Sequence, residues 1–117
     1  MAADHLLDAR ARVLHDLEAT GAATPASVSA LEAALTDRRW WVSQWESGGL
    51  YAAGLVAQDV QDALLEDVGR WPLCPVCEEA THALYIHPEI GGPDPVWVCE
   101  ETAQAVAPLG SLSRPTG

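Results

Sequence analysis

The chain has 117 residues, 49% hydrophobic and 20% charged, the proportions of a folded globular protein with room for a single core. Its 17 acidic residues face six arginines and no lysine, and the resulting formal charge of -11 repels phosphate backbones and excludes direct binding of DNA or RNA. No stretch is long and apolar enough to span a membrane, and the start, with Asp4 and Asp8, lacks the apolar run of a signal peptide, so a cytoplasmic protein is expected.

Leu6, Leu7, Val13, Leu14 and Leu17 recur at helical spacing and predict an amphipathic helix from Asp4 to Thr20, with Asp8 and Arg12 as an i,i+4 pair beside the stripe. Gly21 is its stop signal. Thr24 followed by Pro25 reads as an N-cap with proline at the first helical position. The second helix that opens there carries Val28, Leu31, Leu35, Val42 and Trp45, and Thr36-Asp37 could divide it in two. Ser47-Gly48-Gly49 supplies a turn, after which Leu50 to Val68 make a third helix with Val56, Val60, Leu64 and Val68 on one face.

Two surfaces of this helical part carry chemistry. Arg38-Arg39-Trp40-Trp41-Val42-Ser43-Gln44-Trp45 concentrates three of the five tryptophans; core packing is the plainest use, and a partner surface is the alternative, because Trp and Arg are favoured at interface hot spots. Asp59, Asp62 and Glu66 form an acidic stripe on the third helix. Paired carboxylates can serve as acid and base, but no histidine stands at the i+3 or i+4 positions that carboxylate metal sites use, so a solvated face is expected. The tryptophans and this stripe are the places to look for a protein partner.

Beyond residue 70 the period becomes alternating. Ala83 to His87 and Pro95 to Cys99 read as two strands of a hairpin joined by a loop with Gly91-Gly92-Pro93, Ala105 to Leu112 could add a third short strand, and 113–117 should fray. The hairpin follows Trp71-Pro72-Leu73-Cys74-Pro75-Val76-Cys77. A Cys-x-x-Cys turn aims two sulfurs at one spot, and Cys99, the third cysteine, ends the returning strand where a zinc ribbon places its second knuckle. A full second knuckle would put cysteine at 102; Thr102 stands there instead. His82, close to the knuckle, is preferred as fourth ligand over His87 at the far end of its strand. Glu78, Glu79 and Glu100 are weaker candidates, since structural zinc takes sulfur and nitrogen.

Two other readings stay open for these cysteines. They could simply pack a small apolar subdomain, as buried free cysteines do. Cys74 and Cys77 could instead cycle between dithiol and disulfide, although a thioredoxin-like pair belongs at a helix N-terminus, and Glu78 and Glu79 would raise rather than lower the thiol pKa. No Gly-x-Ser-x-Gly elbow, phosphate-binding glycine loop or His-Glu-x-x-His helix occurs, and His5 and His15 read as surface or boundary residues.

Trp71-Pro72-Leu73-Cys74-Pro75, His82-Ala83-Leu84, Trp97-Val98-Cys99 and Gly110-Ser111-Leu112 together resemble small actinobacterial or actinophage proteins of unassigned function that share a C-terminal Trp-Pro-x-Cys-Pro motif. The likeness covers about the last 45 residues. It implies a zinc-ribbon-like module with His82 as the matching histidine and a position 77 that is often histidine, but no activity.

The expectation is therefore an α+β protein: two or three helices over 1–70 packed on a zinc-ribbon-like β-hairpin over 71–112, in one compact unit. It would be a small acidic regulatory protein, not an enzyme, with a structural zinc held by Cys74, Cys77, His82 and Cys99. Trp40, Trp41, Trp45, Asp59, Asp62 and Glu66 would meet a protein partner, basic if charge decides. The competitors are a thiol oxidoreductase or zinc hydrolase built on Cys74 and Cys77, and an acidic mimic of nucleic acid.

Overall fold

A computed structural model describes residues 2–67, 69–75, 77, 82–88 and 94–113. Three helices precede a three-stranded antiparallel sheet, an α+β arrangement.

The first helix, α1 (Ala2–Ala19), buries Leu6, Ala9, Val13 and Leu17. It ends in a Schellman motif, with Ala22 N–H on Leu17 O at 2.8 Å, Gly21 N–H on Glu18 O at 3.1 Å, and Gly21 in the left-handed region at φ 72°. The second, α2 (Pro25–Gln44), opens on a capping box in which Thr24 and Ser27 each accept the other's backbone N–H, at 2.8 and 3.1 Å. It runs unbroken through Thr36-Asp37, because the Thr36 hydroxyl donates back to Glu32 O at 3.0 Å and is satisfied inside the helix.

The expected turn after Trp45 is a 3-10 helix, η1 (Glu46–Tyr51). Its glycines allow close approach: a Cβ on Gly48 would stand 2.8 Å from the Trp45 ring, and one on Gly49 would collide with the ring of His5. The third helix, α3 (Ala52–Asp67), buries Ala52, Val56, Ala57, Val60 and Leu64 against the other two.

The strands are β1 (Leu84–His87), β2 (Val96–Cys99) and β3 (Ala105–Pro108), in the order β1-β2-β3. The hairpin read from the sequence is thus the inner part of the sheet, and β3 is the third strand anticipated in 105–112. The glycine loop and residues 114–117 lie outside the described residues. Register pairs Leu84 with Cys99 and Ile86 with Trp97, so these four side chains share one face, and Trp97 pairs in turn with Ala107.

That face completes a hydrophobic cluster continuous from Leu6 to Leu112. Polar links fasten the layers. Gln61 of α3 donates to Trp71 O at 3.0 Å and Leu84 O at 2.8 Å, and the Trp71 indole, edge-on to Trp97, donates to the Thr20 hydroxyl at 2.9 Å.

Candidate metal centre

The segment before β1 doubles back along it. Leu84 N–H donates to Pro72 O at 2.8 Å, Cys74 N–H donates to His82 O at 3.0 Å, and Leu73 bridges Ala83, so Cys74 is held beside His82. The pairing of Leu84 with Cys99 brings the end of β2 to the same place. A tight turn follows, closed by Ala103 N–H on Cys99 O and Cys99 N–H on Gln104 O, both 2.9 Å, with Ala103 at φ 59°.

The ligand atoms of Cys74, Cys77, His82 and Cys99 consequently all lie within 4.8 Å of one another and could bind a metal ion. Cys77 Sγ is 3.7 Å from Cys99 Sγ, and Cys99 Sγ is 3.5 Å from His82 Nε2. All three cysteines are free thiols; Cys74, His82 and Cys99 are buried, and Cys77 is half-buried. The other ring nitrogen of His82, Nδ1, faces the Glu101 carboxylate at 3.6 Å.

The thiols differ in acidity. The hydroxyl and backbone N–H of Thr102 are the main cause that lowers Cys99 to about 6, aided by His82 and the Glu101 N–H. Cys77 is pushed up to about 12, first by its bond to Cys99, then by burial and by Cys74. Three sulfurs this close resist joint ionisation, and a divalent cation at their centre relieves that repulsion. Thr102, which stands where a second Cys-x-x-Cys would have its last cysteine, instead supports the sulfur of Cys99.

The other candidates fall elsewhere. His87, exposed, pairs with Val96 at the far end of β1, and Glu100 is exposed outside the cluster, while Glu78 and Glu79 lie outside the described residues. On the helical side, Arg38 grips Asp59 with two bonds of 2.8 and 2.9 Å, whereas Asp62 and Glu66 are exposed. The bond to Asp59 is also the main cause that raises the pKa of Arg38. Trp41 packs edge-on to Trp45 at 5.2 Å, Trp45 stacks on Tyr51 at 5.6 Å, and the Arg38 guanidinium lies 5.6 Å from the Trp41 ring centre. Trp41 is therefore half-buried against the core, but Trp40 is 67% exposed and Trp45 48%.

The sequence reading missed Asp16. It is fully buried and collects hydrogen bonds from three parts of the chain. Its signal was present: position 16 falls three residues after Val13 on the buried stripe of α1, and a carboxylate there demands partners.

No curated protein and no solved structure matches the chain. One family model does, described as "Domain of unknown function (DUF8819)", over residues 2–109.

Proposed function

The chain belongs to the DUF8819 family, a membership that reaches from α1 through β3, and we propose that its four clustered ligands hold a structural zinc ion in a small protein that works by contact with a basic protein partner. The geometry of the cluster carries the zinc assignment. A regular tetrahedron with Zn–S near 2.3 Å and Zn–N near 2.05 Å has S···S edges of about 3.8 Å and S···N edges of about 3.6 Å. The corresponding separations here are 3.7 Å and 3.5 Å. A Cys3His donor set is also a preferred one for zinc among divalent ions.

Four protein ligands leave no position for water or substrate, which favours a structural over a hydrolytic role. Cys74 lies in an extended segment bridged to β1 rather than at a helix N-terminus, which disfavours a thioredoxin-like cycle. For the partner, the support is the charge of -11 together with Trp40 and Trp45 held at the surface.

Metal analysis of the purified protein, with Cys74→Ser and Cys99→Ser alongside, tests the zinc reading. One zinc per chain in the wild type, lost together with folding in both variants, is the expected result. A zinc-free wild type that stays folded would refute it.

A further inference from the structure

Between the α1–α2 turn and the helix-facing side of the sheet lies an open groove of about 830 Å³. Leu64, Trp71 and Leu112, all buried, form its floor, and Leu73, 51% exposed, stands at its rim. Its size is in the range of pockets for small organic ligands, and the junction of two structural layers is a usual place for one.

The polarity of the lining is the informative property. The chain carries 17 acidic residues, yet among the described residues that line the groove none is acidic and one, Arg70, is cationic. The hydroxyls deeper in the groove already have partners within the fold. Thr20 donates to Asp16 O at 2.7 Å while accepting from Trp71, and Thr24 accepts the Ser27 N–H at 3.1 Å. Neither requires anything of a ligand. Arg70 differs, because a guanidinium has five donors and can serve a neighbour in the fold and a ligand together.

We propose that this groove binds a small amphiphilic carboxylate, with its hydrocarbon part on Trp71, Leu64 and Leu112 and its carboxylate at Arg70. Charge complementarity selects this occupant: an apolar cation would find no counter-ion in the lining, and a neutral hydrocarbon would leave Arg70 unused. The acidity of the rest of the surface is screened beyond a Debye length of about 8 Å at physiological salt, so the local guanidinium decides the preference. This site is separate from the proposed partner surface on α2 and does not depend on which ion the cysteines hold.

Calorimetric titration of the protein as purified with hexanoate, octanoate and decanoate tests the proposal, with decyltrimethylammonium and 1-decanol as controls. Decanoate should bind saturably and more tightly than decyltrimethylammonium. Affinity should rise about fourfold per added methylene, the gain for burying one such group. Arg70→Gln, at an exposed position, should weaken decanoate about tenfold, the worth of a charge-assisted bond, and leave decanol unchanged. In NMR spectra the Trp71 indole N–H should shift and that of Trp40 should not. Absence of saturable decanoate binding, equal affinity for the cation, or shifts centred on Trp40 would each overturn the proposal. So would binding of a peptide C-terminus by a protein that ignores decanoate, which would give the groove to a protein partner.

Discussion

Trp97 of β2 donates its indole N–H to the carboxylate of Asp16 on α1 at 2.8 Å, and both side chains are fully buried. The same Asp16 Oδ2 accepts Gly110 N–H at 2.7 Å, and Oδ1 accepts Leu112 N–H at 3.1 Å while facing His15 Nδ1 at 2.9 Å. One carboxylate thus ties the first helix to the middle strand and to the segment after β3. Gly110, at φ 93° and against Arg12, places that segment within reach.

Replacing Asp16 with alanine strands the N–H groups of Trp97, Gly110 and Leu112 in the interior. Each unsatisfied donor costs about 1–3 kcal/mol, so Asp16→Ala should lose at least about 3 kcal/mol of unfolding free energy. Asp16→Asn keeps one carbonyl oxygen and should fall between the two. Urea unfolding checks the order, and an Asp16→Ala protein as stable as the wild type would show that the network contributes nothing.

The helices and the ligand cluster were legible in the sequence because their signals are local. Thr24-Pro25 announces a cap, Val56, Val60 and Leu64 announce a buried face, and Cys74-Pro75-x-Cys77 announces a turn that converges two sulfurs. His82 could be preferred over His87 because strand geometry puts the two at opposite ends of β1. The layer-to-layer fastenings were not legible. Nothing near Asp16 in the chain says that Trp97 will meet it, and nothing near Gln61 says that it will cap two carbonyls of the sheet segment. The continuity of α2 through Thr36-Asp37 was open for a related reason, since the hydroxyl of Thr36 can serve a helix or a break equally well.

Glu101 faces the nitrogen of His82 that points away from the cysteines. Carboxylates in that position orient a ligating imidazole and raise its basicity, and losing one costs about 10- to 100-fold in metal affinity. Glu101→Gln should therefore keep the fold and weaken zinc about tenfold in competition with a chromogenic chelator. Unchanged affinity would remove Glu101 from the site.

Cobalt substitution reads the donor set directly. The wild type loaded with Co²⁺ should show the intense visible bands of a tetrahedral centre and strong thiolate charge transfer. Cys77→His exchanges one sulfur of three for nitrogen and should retain the tetrahedral bands with roughly a third less charge-transfer intensity. Loss of the tetrahedral spectrum would mean that the half-buried position 77 does not tolerate the exchange.

The tryptophans divide by environment. Trp40→Ala, on the exposed side of α2, should change stability by no more than about 0.5 kcal/mol. Trp71→Ala removes a buried ring and the donor to Thr20 and should cost about 3–5 kcal/mol. If the α2 surface meets a basic partner, Trp40→Ala with Trp45→Ala should abolish capture of that partner while the fold persists. Capture by the wild type should also fall as salt is raised, and capture that ignores both changes would point away from this surface.

The strand β2 is four residues long, too short for its ladder alone to distinguish one alignment from the next. Because side chains alternate between faces, a slip of one residue against β1 would turn Cys99 away from His82 and Trp97 away from Asp16 in the same movement. Two unrelated chemistries, sulfur ligation and a buried carboxylate, therefore proofread a single alignment. A chain that satisfied one of them in the wrong frame would be betrayed by the other.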